Sequence, residues 1–361
     1  LADVLTVETE RVREDFALGV VPPDFILAKA IRQQEGMTGT PAAESSMVES
    51  VVSRTRDKGL TGDWGARVER LLTERVYPAL AAQTAVLKSA QTSATHEASV
   101  RRLPQGEQYY ANRLRYITTT RLSADEIHRT GLEQVAELSG RADALLKAQG
   151  MTQGSVAERI AAMGADPKYI YPNTDAGKAE LIGKLNEQMG AMQARLPNAF
   201  GRLPKAGAEI KRVPPAIEQG APMGYYNGPS LDGSRPGIYW INLKDTADWP
   251  SWTLPTLTYH EASPGHHLQI ALQQESPSAP KLMNLFFFSA YGEGWGLYAE
   301  QLADELGAYQ DDPAGQIGYL QSLMFRAARL VVDTGIHAKG WSREEGIRYM
   351  MTAYGDTEGA A

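Results

Sequence analysis

The chain has 361 residues, which is enough for one large or two medium domains with a substantial core. Its 36 basic and 43 acidic residues give a net charge of −7 without a basic block, which argues against a nucleic-acid partner. It has no cysteine, which excludes disulfides, thiolate nucleophiles and cysteine-ligated zinc; a transition metal would need histidine and carboxylate ligands.

No apolar run approaches the ~20 residues that a membrane span requires, so no span is predicted. The chain begins at Leu1 without an initiator methionine, and we expect it to be a piece of a longer protein. We favour a cytoplasmic location and keep export as the alternative. The sequence does not predict an oligomeric state.

Residues 1–196 read as a helical scaffold. Pro22-Pro23-Asp24 precedes an apolar helical run, with proline near the first turn where it is tolerated. Ser123 and Glu126 form a capping box, in which each side chain satisfies a backbone N–H of the other residue. The helix that follows is predicted to continue to about Ala148.

Residues 197–255 are rich in proline, glycine and aromatic residues, and we predict that they contain the β structure. The run from Gly237 to Leu243 reads as a strand. A strand ahead of a metal-binding helix suits a zincin, in which substrate pairs with an edge strand. We therefore predict that Arg235, Tyr239 and Asn242 bind substrate along this strand.

Helical patterns resume near Leu254 and are predicted to span residues 254–274, 281–306 and 315–338, with another start at Ser342. Residues 256–361 would then supply the metal-site helices. Taken as a whole, the sequence predicts one mainly α domain over residues 1–361. Its small β-sheet would stand ahead of the helix that carries the metal ligands.

Three of the six histidines lie at positions 260, 266 and 267. His260-Glu261 resembles the start of the H-E-x-x-H zinc motif, but Pro264 stands where the second histidine should be. On a regular helix, residues six apart lie about 9 Å apart along the axis and cannot share one zinc ion. Because Pro264 and Gly265 disrupt the helix, we predict a two-residue bulge that delivers His266. His267 is the rival second ligand.

Glu293 is the best candidate for the third ligand. It lies between Gly292 and Gly294 on an otherwise apolar helix, where a carboxylate must be paired, protonated or bound to a metal. Glu300, two turns later, would support the site from behind. We expect Zn²⁺, with Mn²⁺ or Co²⁺ as alternatives, because two imidazoles and a carboxylate accept several metals.

These residues indicate metal-assisted hydrolysis of a peptide or small amide. Glu261 is predicted to be the general base, and His337, Tyr291 or Tyr298 to stabilise the oxyanion. Two alternatives stay open. One is a metal-free or degenerate zincin that acts as a binding or structural protein, and the other is a metallohydrolase of non-peptide amides or esters. For His337, which lies one helical turn after Asp333, a structural network is an equal alternative.

The chain resembles the bacterial zincin-like family labelled domain of unknown function 885. That family is similar in fold to the carboxypeptidase Taq metallopeptidases. The motifs that carry the resemblance lie between about residues 100 and 340, the strongest being His260-Glu261 with Pro264-Gly265-His266, Gly292-Glu293-Gly294-Trp295 and Asp333-Thr334-Gly335-Ile336-His337.

The resemblance implies a carboxypeptidase-like fold and activity. It maps the metal ligands onto His260, His266 and Glu293 and the general base onto Glu261. It also implies that family members extend beyond both ends of this chain. On that reading the isolated piece could hold a metal and still be inactive.

Overall fold

Helices dominate the computed structural model, which describes residues 1–218 and 221–355. Three short strands interrupt them. The α-helices and β-strands are, in chain order, α1 Ala2–Ala17, α2 Asp24–Gly39, α3 Ser46–Asp57, α4 Trp64–Leu71, α5 Tyr77–Ala90, α6 Gly106–Thr118, α7 Ala124–Ala148, α8 Val156–Ala165, α9 Asp175–Arg195, β1 Ala208–Arg212, β2 Gly224–Asn227, β3 Gly237–Ile241, α10 Leu254–Glu261, α11 His266–Gln274, α12 Ser289–Glu305, α13 Pro313–Lys339 and α14 Arg343–Tyr354. The predicted mainly α fold with a small sheet ahead of His260 is confirmed.

The chain divides into two compact units, Leu1–Tyr110 and Ala111–Ala361. In the first unit α1 and α2 each pack on α5. A single π-helical turn, Leu72–Val76, joins α4 to α5, and Pro78 directly follows this turn, where its missing N–H interrupts the regular hydrogen bonding of the helix. The core of this unit is aliphatic and includes Leu5, Leu27, Ile31, Leu72, Val76, Leu80 and Leu87.

The second unit is organised by its two longest helices, α7 and α13, which pack along each other. Their close approach needs Gly131, because a Cβ there would lie 2.7 Å from a Val331 methyl and 2.9 Å from the Ala327 carbonyl. The predicted capping box is present, with Ser123 and Glu126 starting α7. The buried core around this pair includes Leu138, Ala142, Leu146, Tyr319, Leu320, Met324, Ala327 and Ala328.

The sheet has the strand order β1-β3-β2. β3 runs parallel to β1, with Ala208 opposite Gly237, and antiparallel to β2, with Gly224 opposite Ile241. The predicted strand is therefore the central strand, and both of its edges are already paired. A substrate peptide has no edge of β3 to join, so this strand cannot be the substrate edge that we predicted within residues 197–255.

Helix α10 lies at the centre of the second unit, packed against α9, α12 and α13. The predicted helix at 281–306 begins later than expected. Residues 281–285 form a 3-10 turn and α12 starts only at Ser289. Among the described residues, no helix is both long and apolar enough to cross a bilayer.

Candidate metal centre

The histidine cluster is divided between two helices. α10 ends at Glu261, residues 262–265 form a tight turn, and α11 begins at His266. Pro264 has no N–H for the His260 carbonyl, and a Cβ at Gly265 would lie 1.8 Å from that carbonyl oxygen. The predicted bulge inside one helix at 254–274 is therefore wrong in form, because the helix stops and restarts.

The break nevertheless brings the two histidines together. The imidazole rings of His260 and His266 meet edge to face with their centroids 4.8 Å apart. The indole N–H of Trp295 on α12 donates a hydrogen bond of 2.9 Å to the Pro264 carbonyl, which ties the turn to the neighbouring helix. This contact gives a structural reason for a tryptophan two residues after Glu293.

Glu293 completes the cluster from α12. Its Oε2 lies 3.5 Å from Nε2 of His260, and its Oε1 lies 4.0 Å from Nε2 of His266. One ligand atom from each of the three residues lies within 4.8 Å of the others. Both histidines are buried, whereas the Glu293 side chain is 46% exposed, so the cluster opens to solvent on the Glu293 side.

A second carboxylate orients His260 from behind. Nδ1 of His260 lies 2.8 Å from Oε1 of the buried Glu300 and donates to it, which leaves Nε2 directed toward Glu293. Gly296 lies against the same ring, since a Cβ there would lie 2.6 Å from its Cε1 atom. The predicted supporting position of Glu300 agrees with this geometry.

His267 points away from the cluster. Its Nε2 donates to the Ala206 carbonyl at 3.0 Å, and its Nδ1 accepts from the Tyr226 hydroxyl at 2.8 Å. Both ring nitrogens are therefore occupied by protein partners. Of the two histidines that the sequence left open, the structure places His266 beside His260.

Glu261 is held next to this group in a poorly solvated position. It is 7% exposed, and its Oε2 atom is buried without a hydrogen-bond partner. Burial raises the pKa of Glu261 to about 7, with the charge of Glu293 adding to the rise and that of His260 opposing it. A carboxylate with this pKa exchanges protons near neutral pH, as a general base must.

The charges of the cluster are strongly coupled. Burial disfavours the charged form of His260, but hydrogen bonds with Glu293 and Glu300 outweigh it and raise the pKa of His260 to about 9. The pKa of Glu293 falls to about 2 because His260 donates to it. Burial and the nearby His260 charge lower the pKa of His266 to about 4.

Arg326 of α13 is a member of this group that the sequence did not assign to it. Its Nη2 lies 3.4 Å from Nε2 of His260, and its Nη1 lies 3.6 Å from Oε2 of Glu293. Arg326 falls in the helix predicted over residues 315–338. The sequence carries no signal that this face of the helix packs against α10.

The donor set fits a divalent transition metal. Two imidazoles and one carboxylate are one of the ligand sets that zinc takes in catalytic sites, and ligands about 2 Å from one ion lie roughly 3.4 Å apart. The observed separations of 3.5 and 4.0 Å are close to that value. Nδ1 of His266 and Oε2 of Glu261 are buried and unpartnered, so the group is incompletely satisfied by protein contacts alone.

Two of the three predicted substrate residues have other partners, and the third is buried. Tyr239 is fully buried in the sheet core, and Asn242 is buried with its amide bonded to the Glu218 and Ala221 carbonyls. Arg235 donates to the carbonyls of Pro236 and Gly228 and so closes its own loop. We therefore assign Asn242 and Arg235 structural contacts in place of the predicted substrate contacts. The Tyr239 hydroxyl has no hydrogen-bond partner, and its predicted role stays a prediction.

His337 lies far from the cluster. It follows Arg326 by eleven positions on α13, which is roughly 16 Å along the helix axis. It lines a separate cavity of about 400 Å³ with Asp333, Arg329 and Arg343 among its neighbours. The predicted catalytic role of His337 is therefore not placed at this centre.

A family profile described as "Bacterial protein of unknown function (DUF885)" matches residues 1–361. The chain belongs to this family. No curated protein matches it.

Two solved structures are similar to this member of the DUF885 family. A "putative lipoprotein" from Colwellia psychrerythraea is 38% identical, with a TM-score of 0.94 over 97% of this chain and 61% of that one. A "putative lipoprotein of unknown function" from Shewanella oneidensis has a TM-score of 0.65 at 17% identity, over 94% of this chain and 62% of that one, and shows only a shared fold. The chain thus spans about three fifths of the length of both proteins.

Proposed function

We propose that this chain holds a divalent metal ion and belongs to a hydrolase of peptide bonds with a zincin-like, carboxypeptidase-like fold. Zn²⁺ is the preferred ion, with Mn²⁺ or Co²⁺ as alternatives. The observation that supports the proposal is the convergence of His260, His266 and Glu293 within 4.8 Å. Glu261, the residue directly after His260, adds a buried carboxylate oxygen that has no hydrogen-bond partner.

His260, His266 and Glu293 would hold the ion. When bound, the ion would act as a Lewis acid and lower the pKa of a bound water molecule to about 7. Glu261 accepts one proton from the attacking water, whose oxygen adds to the carbonyl carbon of the amide. The C–N bond then breaks, Glu261 passes the proton to the leaving amine, and the products are a carboxylic acid and an amine.

The similarity to proteins described as lipoproteins supports an exported location for the whole protein. It gives no support to the cytoplasmic location that we favoured from the sequence. Because the chain spans only 61% of its Colwellia relative, hydrolysis is proposed for the whole protein. Metal binding is proposed for this chain by itself.

Metal content tests the first half of the proposal. We expect the wild-type chain, purified without chelator and measured by plasma mass spectrometry, to hold close to one equivalent of metal. His266→Ala should lose it, whereas His267→Ala should keep it, because His267 bonds only to protein groups. Less than a tenth of an equivalent in the wild type after incubation with zinc would overturn the proposal.

Hydrolysis tests the second half. A peptide library incubated with the longest expressible form of the protein and added zinc should be cleaved, and Glu261→Gln should abolish cleavage while the metal content stays unchanged. Full activity of Glu261→Gln would rule out the assigned base. Cleavage of amide or ester substrates without cleavage of peptides would favour the non-peptide metallohydrolase.

One observation favours a second candidate, a metal-free binding protein. The guanidinium of Arg326 already lies 3.4 Å from His260 and 3.6 Å from Glu293, so a protein cation neutralises part of the carboxylate charge. In such a protein Arg326 would take the place of the metal. This candidate predicts that the wild-type chain stays metal-free. It also predicts that replacing Arg326 by glutamine lowers the thermal stability.

A further inference from the structure

The guanidinium of Arg326 lies beside two of the residues that would hold the cation. Its Nη2 lies 3.4 Å from Nε2 of His260, and its Nη1 lies 3.6 Å from Oε2 of Glu293. The side chain is 29% exposed, and its Nε atom is buried without a partner. His260 and Glu293 are two of the three ligands that the proposed function assigns to the metal.

The Nε2 lone pair of His260 cannot serve a metal and an N–H donor at the same time. Once His260 and Glu293 hold the ion, His260 offers Arg326 no acceptor, and the Glu293 carboxylate shares its negative charge with the metal. An arginine keeps its charge at all ordinary pH values and carries five N–H donors, so it then needs another anionic oxygen. The half-exposed Glu293 side chain marks the direction from which a ligand can arrive.

We propose that Arg326 is the anion-binding residue of this centre. Its guanidinium contacts the carbonyl oxygen of the bond to be cleaved, where negative charge develops during attack by water. It then contacts the carboxylate of the acyl product, whose two oxygens match the planar guanidinium fork. This inference rests on the proposed function, and it identifies the ligand class as an amide carbonyl before cleavage and a carboxylate afterwards.

Phe325 and Arg329 provide the reference for this assignment. The guanidinium groups of Arg326 and Arg329 both lie over the Phe325 ring, at 5.6 and 5.4 Å from its centroid. Arg329 lines the separate cavity that contains His337. The two arginines thus share a helix and an aromatic neighbour, and they differ in whether they contact the metal ligands.

The experiment uses the chain loaded with Co²⁺, whose visible absorption reports on bound anions, and acetate as the probe. We expect Arg326→Gln to weaken acetate binding by about 10- to 100-fold, the loss typical of a charge-assisted hydrogen bond. Arg326→Lys should keep part of the affinity because it keeps the charge. Arg329→Gln should bind acetate as the wild type does.

Metal affinity, measured by competition with a chelator, gives a second readout. Removing a positive charge 3.4 to 3.6 Å from two ligand atoms should leave the Co²⁺ affinity of Arg326→Gln unchanged or raise it. A residue that only braced Glu293 would lose metal and acetate affinity together, which would overturn the inference. Wild-type acetate affinity in Arg326→Gln, with the metal bound and peptides cleaved, would overturn the inference and leave the proposed function standing. A wild-type chain that takes up no cobalt would overturn both.

Discussion

Nδ1 of His260 and Oε1 of Glu300 lie 2.8 Å apart, and both side chains are almost completely buried. Because a carboxylate only accepts, the Nδ1 atom must carry the proton. In the neutral ring that a metal requires, the lone pair of His260 therefore lies on Nε2, the atom that faces Glu293. Burial at this contact fixes both the tautomer and the rotation of the ring before any ligand arrives.

Replacing Glu300 by glutamine tests this role. Glutamine still accepts the hydrogen bond through its amide oxygen, but it removes the charge that makes the imidazole a stronger ligand. We expect zinc affinity, measured by competition with a chelator, to fall by about 10-fold or more. Glu305→Gln on the same helix is exposed and serves as the control, with unchanged affinity. Equal affinity of the two variants would show that Glu300 does not tune the ligand.

Gly296 gives a steric test of the same histidine. A Cβ at this position would lie 2.6 to 2.9 Å from three atoms of the His260 ring, so alanine must displace the imidazole. We expect Gly296→Ala to lower zinc affinity by at least 10-fold while circular dichroism shows the helical content intact. The expected loss of affinity is large because the His260 ring is buried and cannot move aside without displacing its neighbours.

Gly294 on the same helix is the matched control for that change. A Cβ at Gly294 meets no atom within 4 Å. Gly294→Ala should keep the metal and raise the free energy of unfolding by about 0.5–1 kcal/mol, because alanine loses less conformational entropy in a helix than glycine. If Gly296→Ala and Gly294→Ala bind zinc equally well, displacing the His260 imidazole has no effect on zinc binding. His260 would then not be a zinc ligand that Gly296 positions.

The members of the candidate cluster were predictable because residue type and spacing alone indicate metal-ligand chemistry. His260, Glu261, His266 and Glu293 lie in two short motifs, and a disrupted helix was the condition for bringing the histidines together. The form of the disruption was not predictable. A bulge and a break both satisfy Pro264, and only the close packing of Gly265 against the His260 carbonyl distinguishes them.

Features that depend on long-range packing lay outside the reach of the sequence. The strand at Gly237–Ile241 was found, but its central place depends on pairing with Ala208–Arg212 and Gly224–Asn227, which are too short to show a pattern. Arg326 was visible as a polar residue on a helix. That it contacts His260 is decided by the packing of α13 on α10.

Tyr226→Phe tests the assignment of His267 to structure. The change removes the hydroxyl that donates to Nδ1 of His267, which leaves this part-buried acceptor without a hydrogen bond. We expect the free energy of unfolding, measured in urea, to fall by about 1–3 kcal/mol. Metal content should stay at the wild-type level. A loss of metal with unchanged stability would instead make His267 the ligand.

His128 provides a pH-dependent test of the second unit away from the metal centre. His128 is buried, with Nδ1 2.8 Å from the Thr334 hydroxyl and its ring against Trp341. Burial lowers the pKa of His128, the positive charge of Lys339 lowers it further, and Asp125 opposes the shift.

The direction of the pH effect follows from that shift. Below about pH 6.5 the unfolded chain binds a proton at His128 that the folded chain resists, so unfolding is favoured. The stabilising contribution of the neutral ring is thus complete above about pH 6.5 and is lost as the pH falls from there through the folded-state pKa. His128→Asn keeps an N–H donor for Thr334 but cannot titrate. We expect urea midpoints to show this variant less stable than the wild type at pH 7.5, with the difference shrinking at pH 5. A difference that stays constant would mean that the pKa of His128 does not change on folding, and a difference that grows toward pH 5 would mean that folding raises it; either result would contradict the expected shift.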